Sequence, residues 1–385
     1  MERSRVGVWT RRVAIAVSVV VVTTAVGVAW RMMNIIETDL LTPGALSDRV
    51  LVEVIDVSGS RITFADDDAA AVDGVWGVVG ADGYGQVTRV ISRGPGGIER
   101  GLAVLSGDLA SGETVEWDEY AFPKDPRTAH GLPFEEVRVS GELGVNPAWF
   151  ISGESDTWAI FVHDKDMGGR AQSLRVLPIF RKLGIPLLVI TYRNDASGGA
   201  GDGRRYTWGL DEWSDLEAAL DTATLRGADD FILLGYGTGA SIVTTFLHES
   251  DRTSDVRAVV LDSPVLDLEA LVDAIAVDRG IPAYLAAAGK ALARVRFGLE
   301  WSRLDQLERS GEFDPSIPML LMHGTADNVV PIEISDAFAA ALPHVTYERF
   351  LGAGHGALWN NGPVRYEDVL TEFLIEVMPE LTADD

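Results

Sequence analysis

The 385-residue sequence contains no cysteine, which excludes disulfide bonds, thiolate catalysis and cysteine-ligated metal sites. Basic residues are also scarce: 32 lysines and arginines stand against 58 aspartates and glutamates, and the formal net charge is -26. A chain this acidic is not expected to bind nucleic acid through a basic surface. No group of histidines and carboxylates has metal-ligand spacing, so the sequence predicts no metal and no cofactor.

Charge is also missing from residues 13–30, near the N-terminus. These 18 residues would form ~27 Å of helix, close to the hydrocarbon thickness of a bilayer. Four arginines within residues 1–12 predict a cytoplasmic N-terminus and extracytoplasmic C-terminal domains. We therefore expect a single-pass protein of the cell membrane, held in the lipid bilayer by a transmembrane signal anchor. A cleaved signal peptide is the alternative, with a weak exit site at residues 27–29.

The rest of the chain divides by pattern. Residues 45–120 form short alternating apolar segments between aspartate- and glycine-rich turns, which is typical of a small β domain. Residues 121–133 contain three prolines among charges and are predicted to be a linker. Strands and helices alternate over residues 134–385, which predicts an α/β fold with a parallel sheet covered by helices on both faces. A mainly helical insertion interrupts the alternation at about residues 264–312.

The stretch FILLGYGTGASI, at residues 231–242, has the pattern of a buried strand that breaks sharply into a helix. Its glycines permit positive φ, and the free N–H groups at the helix start would form an anion site. A nucleophile elbow, G-x-S-x-G, would place the nucleophile at Gly237, which has no side chain. A dinucleotide fingerprint would use Gly235, Gly237 and Ala240, with Asp262 as the ribose-binding acid.

Two motifs at later strand ends distinguish these interpretations. HGTADNVVP occupies residues 323–331, and GAGHG occupies residues 352–356. Through them the chain, from about residue 134 to its end, resembles the α/β-hydrolase superfamily, and more closely its bacterial serine-aminopeptidase and esterase-like branch. Elbow, acid and histidine follow in the order that this fold requires. A dinucleotide-binding protein remains only as a remote alternative.

The resemblance implies roles for particular residues. Asp327 would orient His355, which would act as the general base. Thr238 and Lys165 would donate backbone N–H groups to an oxyanion hole. The insertion at residues 264–312 would form a helical cap over the pocket.

Two residues depart from the family pattern. Gly237 stands at the nucleophile position, where the family has serine, and Asp164 stands where the family usually has glycine. Loss of the nucleophile costs on the order of a millionfold in turnover. A carboxylate at position 164 also has the wrong sign for an oxyanion hole. We therefore predict a catalytically impaired pseudohydrolase that retains its acid–histidine pair and binds a small-molecule or peptide ligand in the capped pocket.

The alternative is an active esterase or peptidase with a substitute nucleophile. That nucleophile would be a water activated by His355 or a neighbouring hydroxyl. The candidate hydroxyls belong to Thr238, Ser241 and Ser263. If His355 is a free base, Gly237→Ser alone should restore weak ester hydrolysis, and adding Asp164→Gly should raise it.

Overall fold

The computed structural model describes residues 2–44, 50–165, 169–201 and 203–382. Helix α1 (Glu2–Ile35) continues into a π-helical segment (Ile36–Leu41). It is the one helix among the described residues that is long and apolar enough to cross a membrane. Most of its apolar span is exposed, but its last turns are packed against the folded domains. The helix is therefore longer than the apolar run at residues 13–30.

A small six-stranded antiparallel barrel follows, with the closed order β1-β2-β5-β4-β3-β6. Its strands are β1 (Leu51–Ser58), β2 (Arg61–Phe64), β3 (Trp76–Val79), β4 (Asp82–Gly94), β5 (Gly97–Asp108) and β6 (Thr114–Asp118). Alternate side chains fill its interior, and the short helix α2 (Asp68–Ala71) packs on one end. The alternating segments predicted from the sequence thus form this barrel; residues 45–49 lie outside the described part.

The segment predicted as a linker is packed rather than extended away from its neighbours. It contains the helix α3 (Pro126–His130), begun by a proline at a position where a helix needs no N–H donor. Ala121 is fully buried, and His130 Nε2 lies 2.7 Å from the carbonyl oxygen of Leu174. These contacts join the barrel to the large sheet that follows.

The large sheet has eight strands in the order β14-β13-β12-β11-β9-β10-β8-β7. They are β7 (Glu135–Gly141), β8 (Gly144–Ile151), β9 (Thr157–Val162), β10 (Leu187–Ile190), β11 (Asp230–Tyr236), β12 (Val256–Asp262), β13 (Met319–Gly324) and β14 (Val345–Phe350). Strands β7 and β8 form an antiparallel hairpin, and β9 to β14 run parallel. Apolar clusters cover both faces, which explains the nearly continuous apolar runs of the central strands.

Helices surround this sheet and extend from one edge of it. They are α4 (Leu177–Lys182), α5 (Trp213–Thr224), α6 (Thr238–Glu249), α7 (Leu268–Asp278), α8 (Ala283–Phe297), α9 (Ile332–Ala341), α10 (Leu358–Asn361) and α11 (Pro363–Val377). A 3₁₀ segment (Gly169–Arg175) precedes α4, and the two do not merge into one longer helix. Pro178 explains the break, because proline fits the first turn of a helix but not its interior.

Helices α7 and α8 form a cap between β12 and β13, at the predicted insertion. With the end of α1 they enclose a separate apolar cluster that includes Met32, Ile36 and Leu271. The cap is therefore held from two sides, by the sheet domain and by the N-terminal helix.

Candidate active site

The turn between β11 and α6 carries Gly237, whose φ of 51° and ψ of -112° lie in a region that favours glycine. Helix α6 starts at the next residue, Thr238, so its first N–H groups face the end of the sheet. A Cβ on Gly239 would overlap the carbonyl oxygen of Val162, so this turn also needs glycine at its third position. The sequence pattern therefore produces the strand–turn–helix corner that it predicts.

Asp164 follows β9 and points its carboxylate at this corner. Its Oδ1 accepts hydrogen bonds from the N–H of Thr238 at 2.8 Å and from the N–H of Lys165 at 2.7 Å. A Cβ built on Gly237 would overlap the carboxylate carbon of Asp164. The carboxylate thus fills the space beside the elbow and uses both N–H groups that were predicted to form an oxyanion hole.

An acid and a histidine complete the arrangement, in the pairing that the family resemblance implies. His355 Nδ1 lies 2.8 Å from Asp327 Oδ2, and Nε2 lies 3.3 Å from Asp164 Oδ2. The other oxygen of Asp327 accepts from the backbone N–H groups of Val329 and Val330, both at 2.8 Å. Asp164, His355 and Asp327, called the triad below, therefore form one hydrogen-bonded line beneath the cap.

The comparisons with known proteins agree with this fold. Residues 284–362 match the family model described as the alpha/beta hydrolase fold. The larger domain has the α/β-hydrolase fold. Residues 53–118, most of the barrel, match a domain of unknown function, DUF8805. No curated protein matches the chain in sequence.

Solved structures support the same fold. The Pyrococcus furiosus esterase Pf2001 is 19% identical and aligns over 66% of this chain and 95% of its own, with a TM-score of 0.50. A Mycobacterium tuberculosis puromycin-hydrolyzing peptidase is 18% identical and aligns over 83% of this chain and 47% of its own, with a TM-score of 0.51. At identities this low, the likeness shows a shared fold.

The same geometry bears on the dinucleotide alternative. A bound pyrophosphate would need the N-terminus of helix α6, but the anionic carboxylate of Asp164 already occupies it.

The two carboxylates control the protonation of His355. Burial by itself lowers the pKa of His355, but the hydrogen bonds and charges of Asp164 and Asp327 outweigh this effect and raise it to about 10. Burial likewise opposes ionisation of both carboxylates, yet their bonds to histidine and their backbone donors leave each pKa below its usual range. At neutral pH, His355 is therefore an imidazolium between two carboxylates. The role of His355 as a general base stays a prediction; in this structure both of its ring nitrogens are bonded to carboxylates.

The substitute hydroxyls do not face the imidazole. Ser241 Oγ donates to the carbonyl oxygen of Val265 at 2.7 Å. Ser263 Oγ donates to Asp262 Oδ1 at 2.8 Å, and Thr238 Oγ1 is buried without a hydrogen-bond partner among the described residues. None of these hydroxyls has a hydrogen bond to His355 in the described structure. They are therefore not positioned as activated nucleophiles.

A cavity of about 950 Å³ lies over the triad, beneath the cap. Its walls include residues from every part of the chain: Asp39 from the π-helical segment, Trp76 from the barrel, and Ile275 and Arg279 from the end of α7. The sequence does not reveal these contributions from outside the sheet domain, because no local motif marks them. The barrel and the N-terminal helix therefore help to build the pocket.

Proposed function

We propose that this chain is a membrane-anchored α/β-hydrolase-fold protein that has lost serine-type catalysis and binds a small-molecule or peptide ligand in its capped pocket. The position of the Asp164 carboxylate carries the proposal, because it fills the space at the nucleophile position and occupies both oxyanion donors. A substrate carbonyl oxygen would have to displace a carboxylate that is held by two N–H groups and an imidazolium.

Each requirement of acyl transfer is affected. The nucleophile is absent at Gly237, which alone costs on the order of a millionfold in turnover. Blocking an oxyanion donor costs roughly 100- to 1000-fold more. A histidine with a pKa of about 10 is protonated at neutral pH and cannot accept a proton from water or serine. These losses disfavour the alternative of an active esterase or peptidase, even though proteins with those activities share the fold.

Retention of the N-terminal helix as an anchor is supported by its packing. Ala29, Met32 and Met33 are buried, the two methionines in the same apolar cluster as cap residues, and α1 is helical through Ile35. The weak exit site at residues 27–29 lies within this continuous helix, whereas signal peptidase cleaves an accessible, small-residue site. The arginines before the span support an orientation with the N-terminus in the cytoplasm and the folded domains outside.

The proposal predicts that catalysis can be rebuilt only by removing Asp164. Gly237→Ser alone should remain inactive, because the new Cβ overlaps the Asp164 carboxylate; this revises the sequence-based expectation of weak activity. Gly237→Ser with Asp164→Gly frees both oxyanion donors, lowers the pKa of His355 and should hydrolyse a short-chain chromogenic ester. The matched control, Gly237→Ala with Asp164→Gly, has the same opened site without the hydroxyl and should stay at background.

A fluorophosphonate probe gives an independent reading on the same proteins. It should label the double variant at residue 237, and labelling should be lost when His355→Ala is added. Covalent labelling of the wild-type protein would contradict the proposal. A folded double variant that neither hydrolyses the ester nor reacts with the probe would show that Asp327 and His355 are not a usable pair.

A further inference from the structure

Cap helix α8 has two apolar faces, of which only one is covered. Its buried face includes Ala286, Gly289 and Ala293, which pack against α1 and the rest of the cap. On the opposite side, Tyr284 is 73% exposed and Val295 is 87% exposed. With Ala287, Ala288, Ala291 and Leu292 they form one stripe at helical spacing. The structure leaves this stripe uncovered.

The charge around α8 is unusual for this protein. The chain carries 58 acidic residues, yet none lies between Asp278 and Glu300. Lys290 in this region is paired with Glu269 and Asp273 on α7. Arg294 and Arg296 are exposed and have no carboxylate partner among the described residues. The uncovered side of α8 is therefore apolar and basic on a protein with a net charge of -26.

The crossing with α1 fixes where α8 lies relative to a bilayer. A Cβ on Gly289 would be 2.6 Å from Met32 Cβ and 3.1 Å from the carbonyl oxygen of Ala29, so the two helix backbones meet closely there. Trp9 and Trp30 are 68% and 53% exposed and bracket the apolar span. Their separation along the helix is ~32 Å, which matches the hydrocarbon thickness and the aromatic belts of membrane helices. With α1 anchored as proposed above, the crossing lies at the level of Trp30 and therefore at the membrane interface.

We propose that α8 is a second membrane contact, which lies on a bilayer containing anionic lipid. Its stripe of Tyr284, Leu292 and Val295 enters the boundary between headgroups and acyl chains, and Arg294 and Arg296 meet lipid phosphates. This inference rests on the anchorage by α1 proposed above. Continuity with the spanning helix favours a bilayer over a second copy of the chain, because the crossing already places α8 at the lipid surface.

Because the chain contains no cysteine, a single cysteine introduced into the full chain can be spin-labelled at that site alone. The protein is placed in nanodiscs of phosphatidylcholine and phosphatidylglycerol, and the accessibility of each label to oxygen and to a water-soluble nickel complex is measured. The test positions are Leu292→Cys and Val295→Cys. Val20→Cys, 64% exposed on α1, reports anchorage, and Leu225→Cys, 90% exposed at the end of α5, is the aqueous control.

We expect the ratio of oxygen to nickel accessibility at positions 292 and 295 to be several-fold higher than at 225 and to approach that at 20. Adding Arg294→Glu and Arg296→Glu should lower the ratio at 295, since the basic contact with phosphate is lost. Lipid exposure at 20 with aqueous values at 292 and 295 would overturn this inference while leaving the anchorage intact. Exclusion of both reagents at 292 and 295 would indicate a protein contact and would also overturn it. Aqueous values at position 20 would instead refute the anchorage.

Discussion

Replacement of Asp164 by asparagine tests the triad directly, because it removes one of the two charges that hold His355 as an imidazolium. The amide oxygen can still accept from the N–H groups of Thr238 and Lys165, so the local geometry should survive. We expect the pKa of His355 to fall from about 10 towards its ordinary value of 6.5. The fall should be partial, because Asp327 remains 2.8 Å from Nδ1.

The size of the effect on stability follows from proton linkage. A pKa raised from 6.5 to about 10 corresponds to at most roughly 5 kcal/mol of stabilisation. This contribution is fully present below the unfolded-state pKa and is lost as the pH rises through the folded-state pKa. Since Asp164 and Asp327 share this stabilisation, loss of Asp164 should lower the free energy of unfolding by about 2 kcal/mol near neutral pH. The difference between wild type and variant should then shrink as the pH approaches 10.

Two measurements on the wild-type protein and on Asp164→Asn test these expectations. Histidine labelled with carbon-13 gives the titration curves, and the His355 resonance is the one missing from His355→Ala. Unfolding by guanidinium at neutral and alkaline pH gives the stability difference. Glu119→Gln is the matched control, because Glu119 also lines the cavity but has no hydrogen bond to His355 among the described residues. If wild-type His355 titrates near 6.5, the charged triad does not exist in solution and the explanation of inactivity by a protonated base is refuted.

Two further substitutions test the packing at this site and at the membrane helix. Gly237→Ala should lower the free energy of unfolding by about 2 kcal/mol, because φ is positive and the methyl group overlaps Asp164. Guanidinium unfolding of a double-mutant cycle with Asp164→Gly tests this. Additive effects of the two substitutions would contradict the overlap. Gly289→Leu should separate α8 from α1 and make the cap more susceptible to limited proteolysis. The control Ala291→Leu, on the exposed side of α8, should have little effect. Equal rates of proteolysis for the two variants would show that the close crossing is not required.

The sequence by itself located much of the site. The motifs that contain Asp327 and His355 are short segments in which a strand ends and a turn begins. The backbone conformation of such segments depends mainly on their own residues. The glycine at position 237 likewise predicts a positive φ, because the turn from β11 into α6 excludes most other residues. Alternating strands and helices were sufficient for the α/β fold, since their periodicity reflects which faces are buried.

Only the tertiary structure decided how the site is closed. Asp164 and His355 are 191 positions apart, and no periodicity or motif encodes the distance of 3.3 Å between their side chains. The pKa of His355 depends on both carboxylates at once, so it could not be inferred from the Asp327 pair alone. Tertiary packing also brings Asp39 and Trp76 to the cavity wall and determines which face of α8 is buried. They depend on how separate elements pack together, a property that local sequence patterns constrain only weakly.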